Sequence, residues 1–347
     1  MPVVLRGRWT WRTGAALATL GLLGAGCASS GAGAGGGAGT AASNGGRLRV
    51  ATTVAPITSI VAAVGGDHVD VTGIVPEGTN SHTFEPKPSA AELLSAADVV
   101  FVNGLALEEA TTQLAEMSHK GRAEIVELGT KAIPRDRWVF DSAFPKKNGK
   151  PNPHLWTDPK YADRYAQIVR DTLVERDEHN AASYRANYEL FSKATAALDA
   201  AMRKAFATIP DGRRKLLTYH DAYAYFAQDY GFDVVGAIQV SDFEDPTPKE
   251  VAGLIDQVKA EGVPAIFGSE VFPSPVLAQI GREAGATYVD VLRDDDLPGR
   301  PGAPEHSWLG LMRFDYATIT RALRGDPSAI EAVDLGATVP GRARYPQ

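Results

Sequence analysis

From Arg47 onward, short runs of β-branched residues alternate with segments of helical periodicity, and this alternation restricts the fold more than any other feature. Strands alternating with helices are typical of βα units, in which helices cover parallel sheets. We therefore expect an α/β fold with two four-stranded parallel-sheet lobes. The predicted strands form two groups of four: Leu48 to Val54, Val69 to Val75, Asp98 to Val102 and Ile125 to Leu128, then Lys215 to Tyr219, Phe232 to Ile238, Ala265 to Gly268 and Thr287 to Val291.

A stretch without strand signals separates the two groups. Pro159 to Glu175 reads as one helix and Ala181 to Ala207 as a second, which contains neither Gly nor Pro and has apolar residues at helical spacing. At ~1.5 Å per residue the second helix would be about 40 Å long. We expect it to bridge the two lobes; the alternative is an amphipathic helix packed on one lobe.

The first 46 residues have the layout of an export signal followed by a linker. Residues 1–13 carry three arginines and no acid, and residues 14–26 are uncharged and mostly apolar. This run is shorter than the ~20 residues that a membrane-spanning helix needs. The small residues before Cys27 resemble the lipobox of bacterial lipoproteins, so we expect a signal peptide over 1–26 and a lipid anchor at Cys27. The alternative is a cleaved signal with an incidental cysteine.

Composition excludes several kinds of chemistry. The chain has 35 Lys plus Arg against 42 Asp plus Glu, a net charge of -7, which argues against a nucleic-acid partner because such binding depends on basic residues. Cys27 is the only cysteine, so an internal disulfide and a cysteine-based zinc site are both excluded. A metal site in this chain must use histidines and carboxylates.

Three of the seven histidines have settings that suit a ligand role. His82 lies in a turn-rich loop after a predicted strand, His154 lies just before a helix, and His220 lies where a strand stops and a helix starts. In open α/β folds, ligands bind beyond the carboxyl ends of the strands. Each histidine alone is more often structural, but three such residues from both halves favour a shared metal site.

Carboxylates in the second half complete a possible site. Asp294, Asp295 and Asp296 follow the last predicted strand, and an acidic turn exposed to solvent is the alternative reading. Zn²⁺ prefers about four ligands, and imidazole nitrogens and carboxylate oxygens are both suitable. With two ligands from each half, the metal would lie in the cleft between the lobes.

These motifs resemble one known family. From about Arg47 to about Leu323, the chain is similar to the zinc/manganese substrate-binding lipoproteins of metal-uptake ABC transporters, the cluster A-I receptors. The likeness rests on five segments in order: TVAPI at 53–57, VPEGTNSHTFEP at 75–86, NPHLW at 152–156, TYHDAYAYF at 218–226, and the late acidic turn.

The resemblance implies a ligand set and a fold. His82, His154 and His220 match the first three ligands, and Asp295 best matches the fourth, with Asp294 and Asp296 still possible. The implied fold has two α/β lobes joined by one long helix. The implied function is that of an extracytoplasmic, lipid-anchored monomer, which binds one Zn²⁺, or alternatively Mn²⁺, and delivers it to the membrane permease.

The chain also departs from the family. Residues 129–152 contain no histidine, whereas many zinc-specific members carry a His-rich loop there. Asn152 stands where the family often has an acid, which puts a supporting carboxylate in question. Glu270 matches a family acid that could orient an imidazole or approach the metal; a structural ion pair is the alternative.

The predicted organisation is a signal peptide (1–26), a tether (27–46), an N-terminal lobe (47–178), a bridging helix (179–208), a C-terminal lobe (209–330) and a tail (331–347). A zinc hydrolase would keep an open coordination position and a nearby base, and the chain has no HExxH motif. We therefore expect no enzyme activity. A metal-dependent surface adhesin and a metal sensor or chaperone remain as further alternatives.

Overall fold

A computed structural model describes residues 46–119, 121, 123–141, 143–238, 246–269 and 275–346. The predicted signal peptide, Cys27, nearly all of the tether and Glu270 lie outside the described residues. Within them, no helix is both long enough and apolar enough to cross a membrane.

The first sheet is parallel and has the strand order β4-β3-β1-β2-β9. Its first four strands lie where the hydrophobic pattern predicts them. The fifth strand was not predicted: a two-residue strand from the C-terminal tail pairs with Val71 and Thr72 of the second strand, and so short a run has no recognisable period. The strands are β1 Leu48–Thr52, β2 Val69–Gly73, β3 Val99–Val102, β4 Glu124–Glu127 and β9 Ala343–Arg344.

The second sheet is parallel, with the order β6-β5-β7-β8. All four predicted strands of the second half are present in it. The two parallel sheets confirm the predicted fold class, with five strands rather than four in the first sheet. The strands are β5 Lys215–Thr218, β6 Asp233–Ala237, β7 Ala265–Ser269 and β8 Thr287–Leu292.

Helices cover the sheets, and most begin at a proline or a capping residue. Pro159 follows Asp158, whose side chain accepts a hydrogen bond from the Lys160 N–H. The helices are α1 Ala55–Gly65, α2 Pro88–Ala96, α3 Glu109–Ser118, α4 Leu128–Ala132, α5 Pro159–Arg176, α6 Ala181–Phe206, α7 Ala224–Tyr230, α8 Pro248–Glu261, α9 Pro275–Ala284, α10 Trp308–Ala322 and α11 Ser328–Glu331.

Helix α6 is continuous over 26 residues, or about 39 Å. Its apolar stripe is buried, with Phe191, Leu198 and Met202 among the buried side chains. These residues belong to one hydrophobic cluster that also contains Val50 of β1 and Leu216 of β5. Because this cluster draws on both sheets, α6 bridges the lobes, as predicted.

Candidate metal centre

The three predicted histidines lie at chain positions that the two sheets bring together. His82 is in the loop after β2, and its N–H donates to Asn80 Oδ1 at 2.9 Å. His220 comes two residues after the end of β5, and His154 comes shortly before α5. The parallel strands direct their carboxyl ends to the same edge, so loops from both lobes meet there.

The three imidazoles form a tight triangle. The Nε2 atom of His82 lies 3.2 Å from that of His154 and 3.2 Å from that of His220, and the last two are 2.9 Å apart. His154 and His220 are buried, and His82 is half-buried. Three nitrogens at these distances cannot all carry protons, so at least one of them presents a lone pair to the others, and a metal ion bound at the centre would be met by all three lone pairs.

Burial keeps the rings of His82 and His154 neutral. Desolvation, followed by the neighbouring His220, lowers the pKa of His82 well below its ordinary value. The pKa of His154 is lowered in the same way, by burial first and then by the other two rings. Neutral imidazole is the form that binds a metal ion.

Asn152 holds the ring of His154. Its Oδ1 accepts from the His154 backbone N–H at 3.1 Å and lies 2.9 Å from the ring Nδ1. A side-chain amide oxygen can only accept, so Nδ1 carries the proton and Nε2 is free. The motif Asn-Pro-His in the sequence marked this residue only as a departure from a family pattern, and its contact with the ring requires the fold.

Two of the three consecutive aspartates reach the histidines. Asp294 Oδ2 lies 3.5 Å from His220 Nε2, and Asp294, Asp295 and His154 each offer a ligand atom within 4.8 Å of the others. Asp295 Oδ1 is buried and accepts no hydrogen bond from the described residues. Burial, and then the charge of Asp294, raises the pKa of Asp295; a cation beside it would offset that cost.

The third aspartate is used differently. Asp296 accepts from the Gly78 N–H with both carboxylate oxygens, at 2.9 and 3.1 Å, so it contacts the loop that leads to His82. Burial raises the pKa of Asp296 to about 7. The structure therefore brings Asp294 and Asp295, but not Asp296, to the histidine triangle.

A small cavity lies beside His82. A cavity of about 100 Å³ is bordered by His82, Leu105, Phe144 and Lys150. The Phe144 ring centroid lies 5.6 Å from that of His82 and 5.7 Å from that of His154. No sequence pattern connects Phe144 with the site, because this residue belongs to a loop without periodicity.

Comparison with known proteins identifies the family. Residues 50–322 match the family model described as zinc-uptake complex component A, periplasmic (ZnuA). The chain belongs to this family. The predicted class of metal-uptake substrate-binding proteins is thereby confirmed, and this family consists of binding components rather than enzymes.

Relatives of this ZnuA family protein are named for different metals. The manganese-binding lipoprotein MntA of Halalkalibacterium halodurans is 28% identical over 308 residues, which cover 88% of this chain and 96% of MntA. The iron-binding protein YfeA of Yersinia pestis is 28% identical over 275 residues, covering 79% and 86%. The periplasmic zinc-binding protein TroA of Treponema pallidum has the same fold, with a TM-score of 0.72, 24% identity and coverage of 80% and 99%.

Proposed function

We propose that this protein is the extracytoplasmic receptor of a metal-uptake ABC transporter and binds one Zn²⁺ between its lobes. The observation that carries the proposal is the triangle of Nε2 atoms of His82, His154 and His220, with separations of 2.9 to 3.2 Å. The ion is the cargo, and the permease in the membrane is its destination.

The triangle suits a tetrahedral ion. Zn–N bonds of about 2.0–2.1 Å in a tetrahedron hold two nitrogens about 3.3–3.4 Å apart. The three nitrogens would therefore need to separate by only a few tenths of an ångström. Lone pairs that converge on one point repel one another without a cation, which favours metal uptake.

The fourth ligand is proposed to be Asp295. Its buried Oδ1 has no hydrogen-bond donor among the described residues, and a cation would supply the missing partner. Asp294 is the alternative, because its carboxylate lies 3.5 Å from His220 Nε2. Glu270 is retained as a proposed supporting acid on the strength of the sequence alone.

Zinc is preferred over manganese on chemical grounds. Sites with three imidazoles hold Zn²⁺ more tightly than Mn²⁺ by the general affinity order. Mn²⁺ remains the alternative, since a second carboxylate nearby could raise the coordination number and a relative is named for manganese.

The membrane attachment is also a proposal. Several relatives are named lipoproteins, which supports Cys27 as a lipid anchor after a signal peptide over 1–26 and before a tether over 27–46. The lobes over 47–178 and 209–330 and the bridging segment over 179–208 would then form a monomeric receptor outside the cytoplasm, with 331–347 as its C-terminal segment.

Metal content tests the proposal directly. Purified wild-type protein should contain about one Zn²⁺ by elemental analysis and should prefer Zn²⁺ over Mn²⁺ in competition. His220→Ala should lose this metal, whereas His179→Ala, which removes an exposed histidine outside the triangle, should retain it. Equal metal retention in the two variants would contradict the assigned site.

A further inference from the structure

Asn152 is fully buried, and its polar groups are all hydrogen bonded. Its side-chain oxygen accepts from the backbone and ring of His154. Its Nδ2 donates to Asp141 Oδ2 at 3.0 Å and to the Asp221 carbonyl at 2.8 Å. The backbone N–H donates to Val139 O at 2.9 Å, and the backbone carbonyl accepts from the Tyr225 hydroxyl at 2.9 Å.

This network allows only one orientation of the amide. If the side chain were reversed, its oxygen would face a carboxylate and a carbonyl, and its NH₂ group would face the His154 backbone N–H. Both arrangements are repulsive, because acceptors would oppose acceptors and donors would oppose donors. The oxygen of Asn152 is therefore fixed toward His154.

We propose that Asn152 is a positioning residue, which fixes the Nδ1–H form of His154 and limits the metal affinity of its Nε2 because the amide is neutral. This inference rests on the proposed function. The ring proton points at Asn152, and Nε2 points at the other two histidines, so the lone pair is aimed before the metal arrives.

The neutrality of the amide matters because a carboxylate is close by. Asp141 lies on the far side of Asn152, 3.0 Å from Nδ2. The acid thus acts on His154 only through an intervening amide. A carboxylate bonded directly to a metal-binding imidazole makes that imidazole a stronger donor. A receptor that must release its cargo benefits from the weaker arrangement.

Exchanging the two side chains gives a charge-neutral test. The double variant Asn152→Asp/Asp141→Asn puts the carboxylate against the His154 ring, and the introduced amide can still accept from the Phe144 N–H, which now donates to Asp141 Oδ1 at 2.8 Å. Asn152→Leu removes the side-chain acceptor and leaves only the Asp221 carbonyl, which also acts on the His154 ring. The matched control is Asn187→Ala, which removes an amide that donates to Val64 O on another part of the first lobe.

Three measurements are made on each variant of the full chain: thermal unfolding, Zn²⁺ affinity by chelator competition at pH 7.5, and the His154 tautomer in metal-free protein from two-bond ¹⁵N–¹H spectra. We expect wild type to carry the His154 proton on Nδ1. Zn²⁺ affinity should rise about tenfold in the exchanged variant and fall about tenfold in Asn152→Leu, with Asn187→Ala unchanged.

A His154 proton on Nε2 in wild type would overturn the inference. So would an exchanged variant that unfolds like wild type but has the same Zn²⁺ affinity. If wild type binds neither Zn²⁺ nor Mn²⁺, both this inference and the proposed function fail. That failure can be told apart from failure of this inference alone, because every variant would then lack metal binding.

Discussion

The backbone N–H of Gly78 donates to both carboxylate oxygens of Asp296, at 2.9 and 3.1 Å. The contact is reciprocated, because the N–H of Leu297 donates to Glu77 Oε1 at 3.1 Å. Gly78 has φ of 77°, a conformation that favours glycine. Two loops from different lobes, one leading to His82 and the other following Asp295, are thus joined by paired hydrogen bonds.

Breaking this pair should speed metal release. Asp296→Leu removes both acceptors from Gly78, and loss of a hydrogen bond to a charged group costs about 1.5–3 kcal/mol. We expect Zn²⁺ dissociation, measured by stopped-flow with a chelator, to become about tenfold faster. Asp296→Asn, which keeps one acceptor, should change less, and Asp256→Ala on the exposed face of α8 should not change. Equal rates in all four proteins would contradict a role for the contact.

The aspartates should differ in their effect on affinity. Asp295→Asn removes the proposed ligand charge and should weaken Zn²⁺ binding about 100-fold or more, whereas Asp294→Asn should weaken it about tenfold, since an outer partner typically contributes that much. Chelator competition measures both. The reverse order would assign the ligand role to Asp294.

Protons should compete with the metal only at low pH. Folding lowers the pKa of His82 and His154 below the ordinary value of about 6.5, so both rings stay neutral in the metal-free protein at pH 6.5. These two rings should therefore leave Zn²⁺ affinity nearly unchanged from pH 8 to 6.5 and lower it only at more acidic pH. Titration calorimetry checks this, and a constant affinity down to pH 5 would argue against histidine ligation.

Glu108 should make the free energy of unfolding fall as pH rises. It is buried, and burial raises its pKa from 4.5 to about 7. Because the folded state binds the proton more tightly, its contribution is fully present below the unfolded pKa and is lost as pH rises to about 7. This shift corresponds to about 3 kcal/mol.

The variant Glu108→Gln isolates this effect. It can still accept from the Asn103 N–H, which donates to Glu108 Oε1 at 2.6 Å, but it cannot ionise. In urea unfolding of metal-free protein, the stability of the variant relative to wild type should increase between pH 4.5 and 7 and level off above. A difference that does not vary with pH would show that Glu108 keeps its ordinary pKa.

Helix α6 should couple the lobes in unfolding. Leu198 is fully buried in the cluster that draws on both sheets, so Leu198→Ala should lower the free energy of unfolding by about 2–5 kcal/mol. Fluorescence and circular dichroism should still report one coincident transition. Glu189→Ala, on the exposed side of the helix, should have little effect, and two separate transitions would mean that the lobes unfold independently.

The two sheets and the long helix could be predicted from the sequence because their hydrophobic residues recur with a regular spacing. Strand alternation, and the absence of Gly and Pro in α6, fixed the two sheets and the bridge. The proximity of His82, His154 and His220 followed from their positions at strand and helix ends, although their role as ligands stays a prediction.

Other features depend on contacts between distant residues. Asp294, Asp295 and Asp296 are identical in type and adjacent in sequence, and only their different partners in the fold separate them. Asn152 likewise acquires its role from six hydrogen bonds across several segments. No local pattern encodes such a network.

Strand β9 has a consequence for biosynthesis. It lies beside β2, and the carbonyl of Pro346 accepts from the N–H of Glu77 at 3.2 Å, so residues made late complete the sheet made first. During synthesis the loop before His82 lacks this backbone partner until the whole second lobe has been translated. A premature stop that spared every proposed ligand would still leave the first histidine's loop without part of its support.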